Sequence, residues 1–138
     1  MGATKYEIYP SEVVEFTEIL KAIAHPARMQ AVLIVAESTD EDITTKELKA
    51  AIKLSQATLS QHLKVLTHSG VFKTKVVQKN NKCHLSYRIE QEALVMITQI
   101  IGKILKNTDI KSDNNYAVLQ KFHSRFQACT NWQSYFKT

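Results

Sequence analysis

Two helix signatures stand almost back to back between Thr44 and Gly70, and this spacing constrains the chain more than anything else in it. Thr44 and Glu47 make a T-x-x-E capping box, which satisfies orphan backbone donors at a helix start. Leu48, Ala51 and Ile52 follow at i, i+3 and i+4 and give that helix one apolar face. Past Lys53 and Leu54, Ser55 is placed to cap a second helix, on which Leu59, Leu63 and Leu66 recur at helical spacing and Gly70 closes the far end. Helices joined by a turn of about three residues cross steeply, as in a helix-turn-helix, leaving the second free to enter a DNA major groove.

With Leu59, Leu63 and Leu66 turned inward, the outward residues of the second helix are Gln56, Ala57, Ser60, Gln61 and Lys64. Gln pairs bidentately with adenine, Ala touches a thymine methyl, Ser is tolerant, and Lys reaches guanine or phosphate. No acidic residue occurs between Leu48 and Ile89 to repel a polyanion. An ordinary helical hairpin with a solvated polar face is the alternative, and the next segment weighs against it.

Residues 71–89 read as a β-hairpin. Cys83, Leu85, Tyr87 and Ile89 alternate with His84, Ser86 and Arg88, the period of a half-buried strand, and Asn80-Asn81 offers the positive-φ residues of a tight turn. A short basic hairpin after a recognition-type helix is a wing. Charge follows the same map: residues 1–42 hold 3 basic and 8 acidic residues, residues 43–88 hold 9 and 1, and residues 89–138 hold 6 and 4. Positive charge concentrated on the winged element is the electrostatic footprint expected for DNA. Lys46, Lys49, Lys73, Lys75, Lys79, Lys82 and Arg88 are the candidate phosphate contacts, against the plainer alternative of a solvated Lys-rich surface.

At 138 residues and 44% hydrophobic content, the chain suits one compact domain and a short appendage. A helix capped by Ser11 runs to about Ala24, a second enters at His25-Pro26 and ends near Glu37, and residues 38–42 form an acidic loop. After the wing, residues 91–106 form a helix that is apolar around most of its axis. A monomeric winged domain buries one stripe, so the excess needs a second partner. Either the same helix of a second subunit covers it, joined by the first helix, or the carboxy-terminal appendage does. The dimer reading nominates Val13, Phe16, Leu20, Leu94, Ile97, Ile101 and Ile104, and a two-fold pair presents its recognition helices about one DNA turn apart. A polar linker spans residues 107–115, and residues 116–128 return to helical spacing. Residues 116–138 hold six of the eleven aromatics, which either pack on the dimer helices or line a pocket for an apolar inducer. The polar amino terminus and a longest apolar run of Ala31 to Ala36 argue against a signal peptide or membrane span. Two distant cysteines, Cys83 and Cys129, fit a reducing cytoplasm and read as structural. No helix face offers a His pair, and the chain has no phosphate loop, nucleophile elbow or catalytic grouping, so neither an enzyme nor a cofactor is expected.

The stretches Leu20–Glu37 (LKAIAHPARMQAVLIVAE) and Ser55–Phe72 (SQATLSQHLKVLTHSGVF), with the basic hairpin behind them, resemble the ArsR/SmtB family of bacterial winged-helix transcriptional repressors. The resemblance covers roughly residues 11–106. It implies a homodimer built on the first and last core helices, a palindromic double-stranded operator, and repression relieved by a small-molecule inducer. It places His62 beside Gln56, Ala57, Ser60 and Gln61 among the groove-facing residues, and Arg28 at a structural position bracing the core. Metal-sensing relatives carry a Cys motif in the first helix of the helix-turn-helix, or Asp-x-His and His-x-x-Glu pairs on the last core helix. Residues 43–49 contain no Cys or His, and residues 91–106 contain no His or Asp, so no metal site is expected. A site assembled across subunits from His123 and Cys129 is a minor alternative.

The expectation is a mainly α chain with a small β-hairpin: a winged helix-turn-helix with amino- and carboxy-terminal dimerisation helices in residues 1–106, and an appendage in residues 107–138. It acts as a dimeric, sequence-specific regulator of transcription, a repressor by resemblance, in the cytoplasm. The rival reading is a winged-helix protein–protein module with little DNA binding.

Overall fold

The computed structural model describes residues 6–107 together with Gln120, Lys121 and Ser124. After a 3-10 turn at Tyr6–Ile8, the elements are α1 (Ser11–Ile23), α2 (Pro26–Glu37), β1 (Ile43–Thr44), α3 (Thr45–Ala51), α4 (Gln56–His68), β2 (Phe72–Lys79), β3 (Lys82–Ile89) and α5 (Gln91–Lys106). The expected core helices and hairpin are all present. The expected helix over residues 116–128, like the rest of the aromatic appendage, lies outside the described residues apart from the three named.

The sheet has one strand more than the sequence disclosed. β1 lies antiparallel beside β3 and β3 beside β2, in the order β1-β3-β2, with Ile43 opposite Tyr87 and Thr44 opposite Ser86. A strand of two residues is too short to show a period, so only its pairing reveals it.

Local chemistry sets the helix ends. Glu47 accepts hydrogen bonds from the Thr44 backbone N–H and hydroxyl, so the capping box starts α3 as read. Ser55 Oγ accepts from the Thr58 N–H at 3.2 Å and starts α4. At the far end of α4, Gly70 adopts φ +83°, the Gly70 N–H donates to Thr67 O (3.2 Å) and the Val71 N–H to Leu66 O (3.0 Å). That is a Schellman termination, which turns the chain directly into β2. His25 caps α2, its Nδ1 accepting from the Ala27 N–H at 3.1 Å, with Pro26 at the first helical position. Ser11 departs from expectation: the cap of α1 is Pro10, and Ser11 is already the first helical residue.

One core joins these pieces. Leu59, Leu63 and Leu66 of α4 are buried with Leu48 of α3, Ala31 and Ile34 of α2, Ile19 of α1, and Phe72 and Tyr87 of the sheet. Arg28 braces this core, its Nε donating to Ala22 O at 2.6 Å and its Nη2 to Lys21 O at 3.3 Å. Both carbonyls belong to the last turn of α1, where backbone acceptors are unpaired and a cation is favoured. Among the described residues, no single helix is long and apolar enough to cross a membrane.

Candidate nucleic-acid interface

α4 turns three leucines into the core, and its opposite face is left to solvent. Gln56, Ala57, Gln61 and Lys64 are exposed and Ser60 is half-buried. These side chains form an uncovered strip over about two helical turns. His62 departs from the groove-facing set. It stands 100° further around the helix than Gln61, half-buried, with its ring 4.4 Å from that of His25 and its Nδ1 3.4 Å from Arg28 Nη1. A guanidinium only donates, so Nδ1 is the acceptor and the neutral ring is favoured. Burial, then the charges of His25 and Arg28, hold its pKa below the ordinary histidine value. His62 therefore links α4 to the start of α2 and does not lie on the exposed strip.

The wing separates its chemistry by face. Strand alternation and the pairs Lys73–Arg88, Lys75–Ser86, Val77–His84 and Lys79–Lys82 put all five wing cations on one side. The reverse side carries Phe72, Thr74, Val76 and Gln78 opposite Ile89, Tyr87, Leu85 and Cys83. Asn80 and Asn81 make the turn with φ 53° and 62°, as their positive-φ tolerance foretold. The half-buried alternation expected for β3 is not observed: near its base Ser86 and Tyr87, of opposite phase, are both buried. Leu85 and Cys83 are exposed, while Val77 opposite His84 and Ser86 are buried on the other face of the hairpin, so beyond Tyr87 the covered face is the one that carries the cations. Cys83 is thus a surface thiol and not the packed residue its phase implied.

Three of the five wing cations already have anionic partners. Lys79 Nζ lies 3.2 Å from Glu47 Oε1 and 3.4 Å from Asp40 Oδ2, and donates to Asp42 O at 2.9 Å. Lys75 Nζ lies 3.1 Å from Asp42 Oδ1, and Arg88 Nη2 lies 3.0 Å from Glu41 Oε2. Partial burial opposes the charge on Lys79, but Glu47 and Asp40 outweigh it and raise its pKa. Asp40 is held below the ordinary carboxylate value by the Asp42 N–H, against slight burial and with help from Lys79. Lys46, Lys49, Lys64, Lys73 and Lys82 are exposed and carry no ion pair among the described residues, and so is Lys53, which the sequence reading passed over. Its position in the turn between α3 and α4 was the available signal. The pairing of the acidic loop with the wing left no trace in local pattern, since its partners lie more than thirty residues apart.

α5 carries much of the exposed apolar surface, with further side chains exposed at Ile8, Tyr9, Met29 and Val65. Leu94, Val95, Ile101, Ile104 and Leu105 of α5 are exposed, as is Val13 of α1, while Leu20 and Ile97 are half-buried. Phe16 is 8% exposed within its own chain, so it has little surface left for a partner. Among the described residues no three His, Cys, Asp or Glu side chains group as a metal ion would require.

Comparison with known proteins agrees with this architecture. Residues 25–73, from the cap of α2 into β2, match the model of the bacterial regulatory protein, arsR family. A biofilm growth-associated repressor of Xylella fastidiosa is 36% identical over 90 residues, covering 65% of this chain and 73% of that protein. The structure of HlyU from Vibrio cholerae matches with a TM-score of 0.53 at 25% identity, over 67% of this chain and 94% of that one. A homodimeric winged helix-turn-helix DNA-binding domain from Mycobacterium bovis shares the fold at 18% identity, with a TM-score of 0.52 over 80% of this chain and 97% of its own. Family model, relative and fold converge: the chain belongs to the arsR family of bacterial regulatory proteins.

Proposed function

We propose that the chain is a dimeric, sequence-specific DNA-binding repressor of transcription, working in the cytoplasm on a palindromic operator and released by a small-molecule inducer. The observation that carries this reading is the outer face of α4. Gln56, Ala57, Ser60, Gln61 and Lys64 form an uncovered strip of base-reading side chains, flanked by Lys46, Lys49, Lys53, Lys73 and Lys82, which are free to meet phosphates. The glutamines and Lys64 read bases, and the flanking lysines set register and supply the salt-dependent share of affinity.

The dimer follows from α5. Leucine and isoleucine side chains uncovered on a sixteen-residue helix are a cost to a lone chain and a gain to a pair. Val13, Leu20, Leu94, Ile97, Ile101 and Ile104 supply the contact, with Phe16 supporting it from within each subunit. Two-fold symmetry then doubles the base-reading surface, in keeping with the repressor name of the Xylella relative and the homodimeric state of the Mycobacterium domain. Selecting bound duplexes from a random pool tests the reading. An inverted repeat with half-sites about one helical turn apart is the expected product. Recovery of no preferred sequence, together with a stoichiometric protein complex, would favour a protein–protein module instead.

A further inference from the structure

We propose that Asp40, Glu41, Asp42 and Glu47 form an internal stand-in for DNA phosphate, which holds Lys75, Lys79 and Arg88 of the wing and is exchanged for the duplex backbone on binding. The inference rests on the DNA-binding reading above and concerns which of the chain's cations contribute to it.

Register puts Lys73, Lys75, Lys79, Lys82 and Arg88 on one face of the hairpin. Five ion pairs join three of these cations to the four carboxylates, and every one bridges the wing to the segment around β1. Three positive charges therefore meet four negative ones, and with the unpaired Lys73 and Lys82 the wing and these carboxylates together carry about one net charge to a polyanion. Glu47 is central. It closes the α3 capping box through one oxygen and meets Lys79 through the other, so the wing is tied to the first helix of the helix-turn-helix.

The partners are half-exposed, and ion pairs of that kind are weak enough to be traded. A phosphate reaching Lys79 displaces carboxylates that stay beside it, so the local net charge gained by the DNA is small. Each phosphate neutralised without such an opposing acid steepens log K against log salt by about 0.9. The carboxylates thus suppress the sequence-independent affinity of the wing. Most of the electrostatic binding is left to the unpaired Lys46, Lys49, Lys53 and Lys64 around the base-reading helix and to Lys73 and Lys82 of the wing.

The test measures the affinity of the full chain for one fixed random-sequence duplex across a salt series. Asp40→Asn with Asp42→Asn is expected to steepen the slope by up to about two units, from about 0.9 for each acid removed. The same variant binds at least tenfold more tightly at low salt, and the difference closes as salt rises. Glu7→Gln with Glu12→Gln makes the same charge change near α1 and is expected to move the slope far less. Should the first variant melt, Glu41→Gln replaces it, because that side chain is 83% exposed and is expected to steepen the slope by up to about 0.9. An unchanged slope in the wing variants, or equal steepening by the α1 pair, overturns the proposal while leaving DNA binding intact. A wild-type chain that binds no duplex at any salt overturns the DNA-binding reading itself.

Discussion

Replacing Ile104 by Ala probes the dimer with little disturbance of the single chain. Ile104 lies one turn beyond Ile101 near the end of α5 and is 54% exposed in the isolated chain. Fully burying an Ile side chain is worth about 1.5–3 kcal/mol, so the half still uncovered offers about 1 kcal/mol to a partner. Two-fold symmetry applies the loss twice, and the truncation removes about 2 kcal/mol from association. At about 1.4 kcal/mol per decade, the dimer dissociation constant rises roughly 30-fold. Sedimentation equilibrium over a wide concentration range reads this directly, and urea unfolding under monomeric conditions should change little because the deleted methyls face solvent there. Val76→Ala is the control. Val76 is 67% exposed, but it sits on the wing and should leave association unaltered. A dimer constant within a factor of about two of wild type for Ile104→Ala, or an equal loss for Val76→Ala, would refute the placing of the interface on α5.

Four further outcomes follow from the same geometry. Gln61→Ala should cost about 1–3 kcal/mol on a selected operator and almost nothing on random duplex, read by competition binding at fixed salt. Gly70→Ala should lower stability by about 1 kcal/mol purely through its left-handed φ, since an added Cβ meets nothing within 4 Å, and Gly70→Asn should recover part of the loss in thermal melts. Ser86 is 1% exposed and its hydroxyl finds no partner among the described residues, so Ser86→Ala should be neutral or stabilising by up to about 1 kcal/mol in urea titration. The pKa of His62 is lower folded than unfolded, so as pH falls through about 6.5 the unfolded chain takes up the proton first and stability declines toward the folded value. His62→Gln should flatten that part of the pH dependence, seen as a smaller shift of the urea midpoint between about pH 7.5 and 5.5.

The readable part of this protein is its local part. Capping at Thr44–Glu47 and at Ser55, the left-handed stop at Gly70 and the Asn80-Asn81 turn each depend on a few neighbouring residues, and each formed as their chemistry requires. The leucines of α4 likewise announced both its buried side and, by subtraction, its exposed side, because helical period alone assigns faces. Misplacements came where burial depends on which face other segments cover. Cys83 and Leu85 share a strand phase with Tyr87 but are exposed, while Ser86 of the other phase is buried, and Phe16 shares a helix with Val13 but is already covered.

Long-range contact decided the rest. His62 looked like one more polar residue beside Gln61, and only the approach of His25 and Arg28 turns it inward. Lys75, Lys79 and Arg88 counted as free charge until the fold brought Asp40, Glu41, Asp42 and Glu47 against them. The amino-acid order by itself determines which segments coil, turn and extend, since those choices are settled within a few residues. Which cations remain available to a polyanion is decided in three dimensions, because a charge is neutralised by whatever lies within a few ångströms, however far away along the chain.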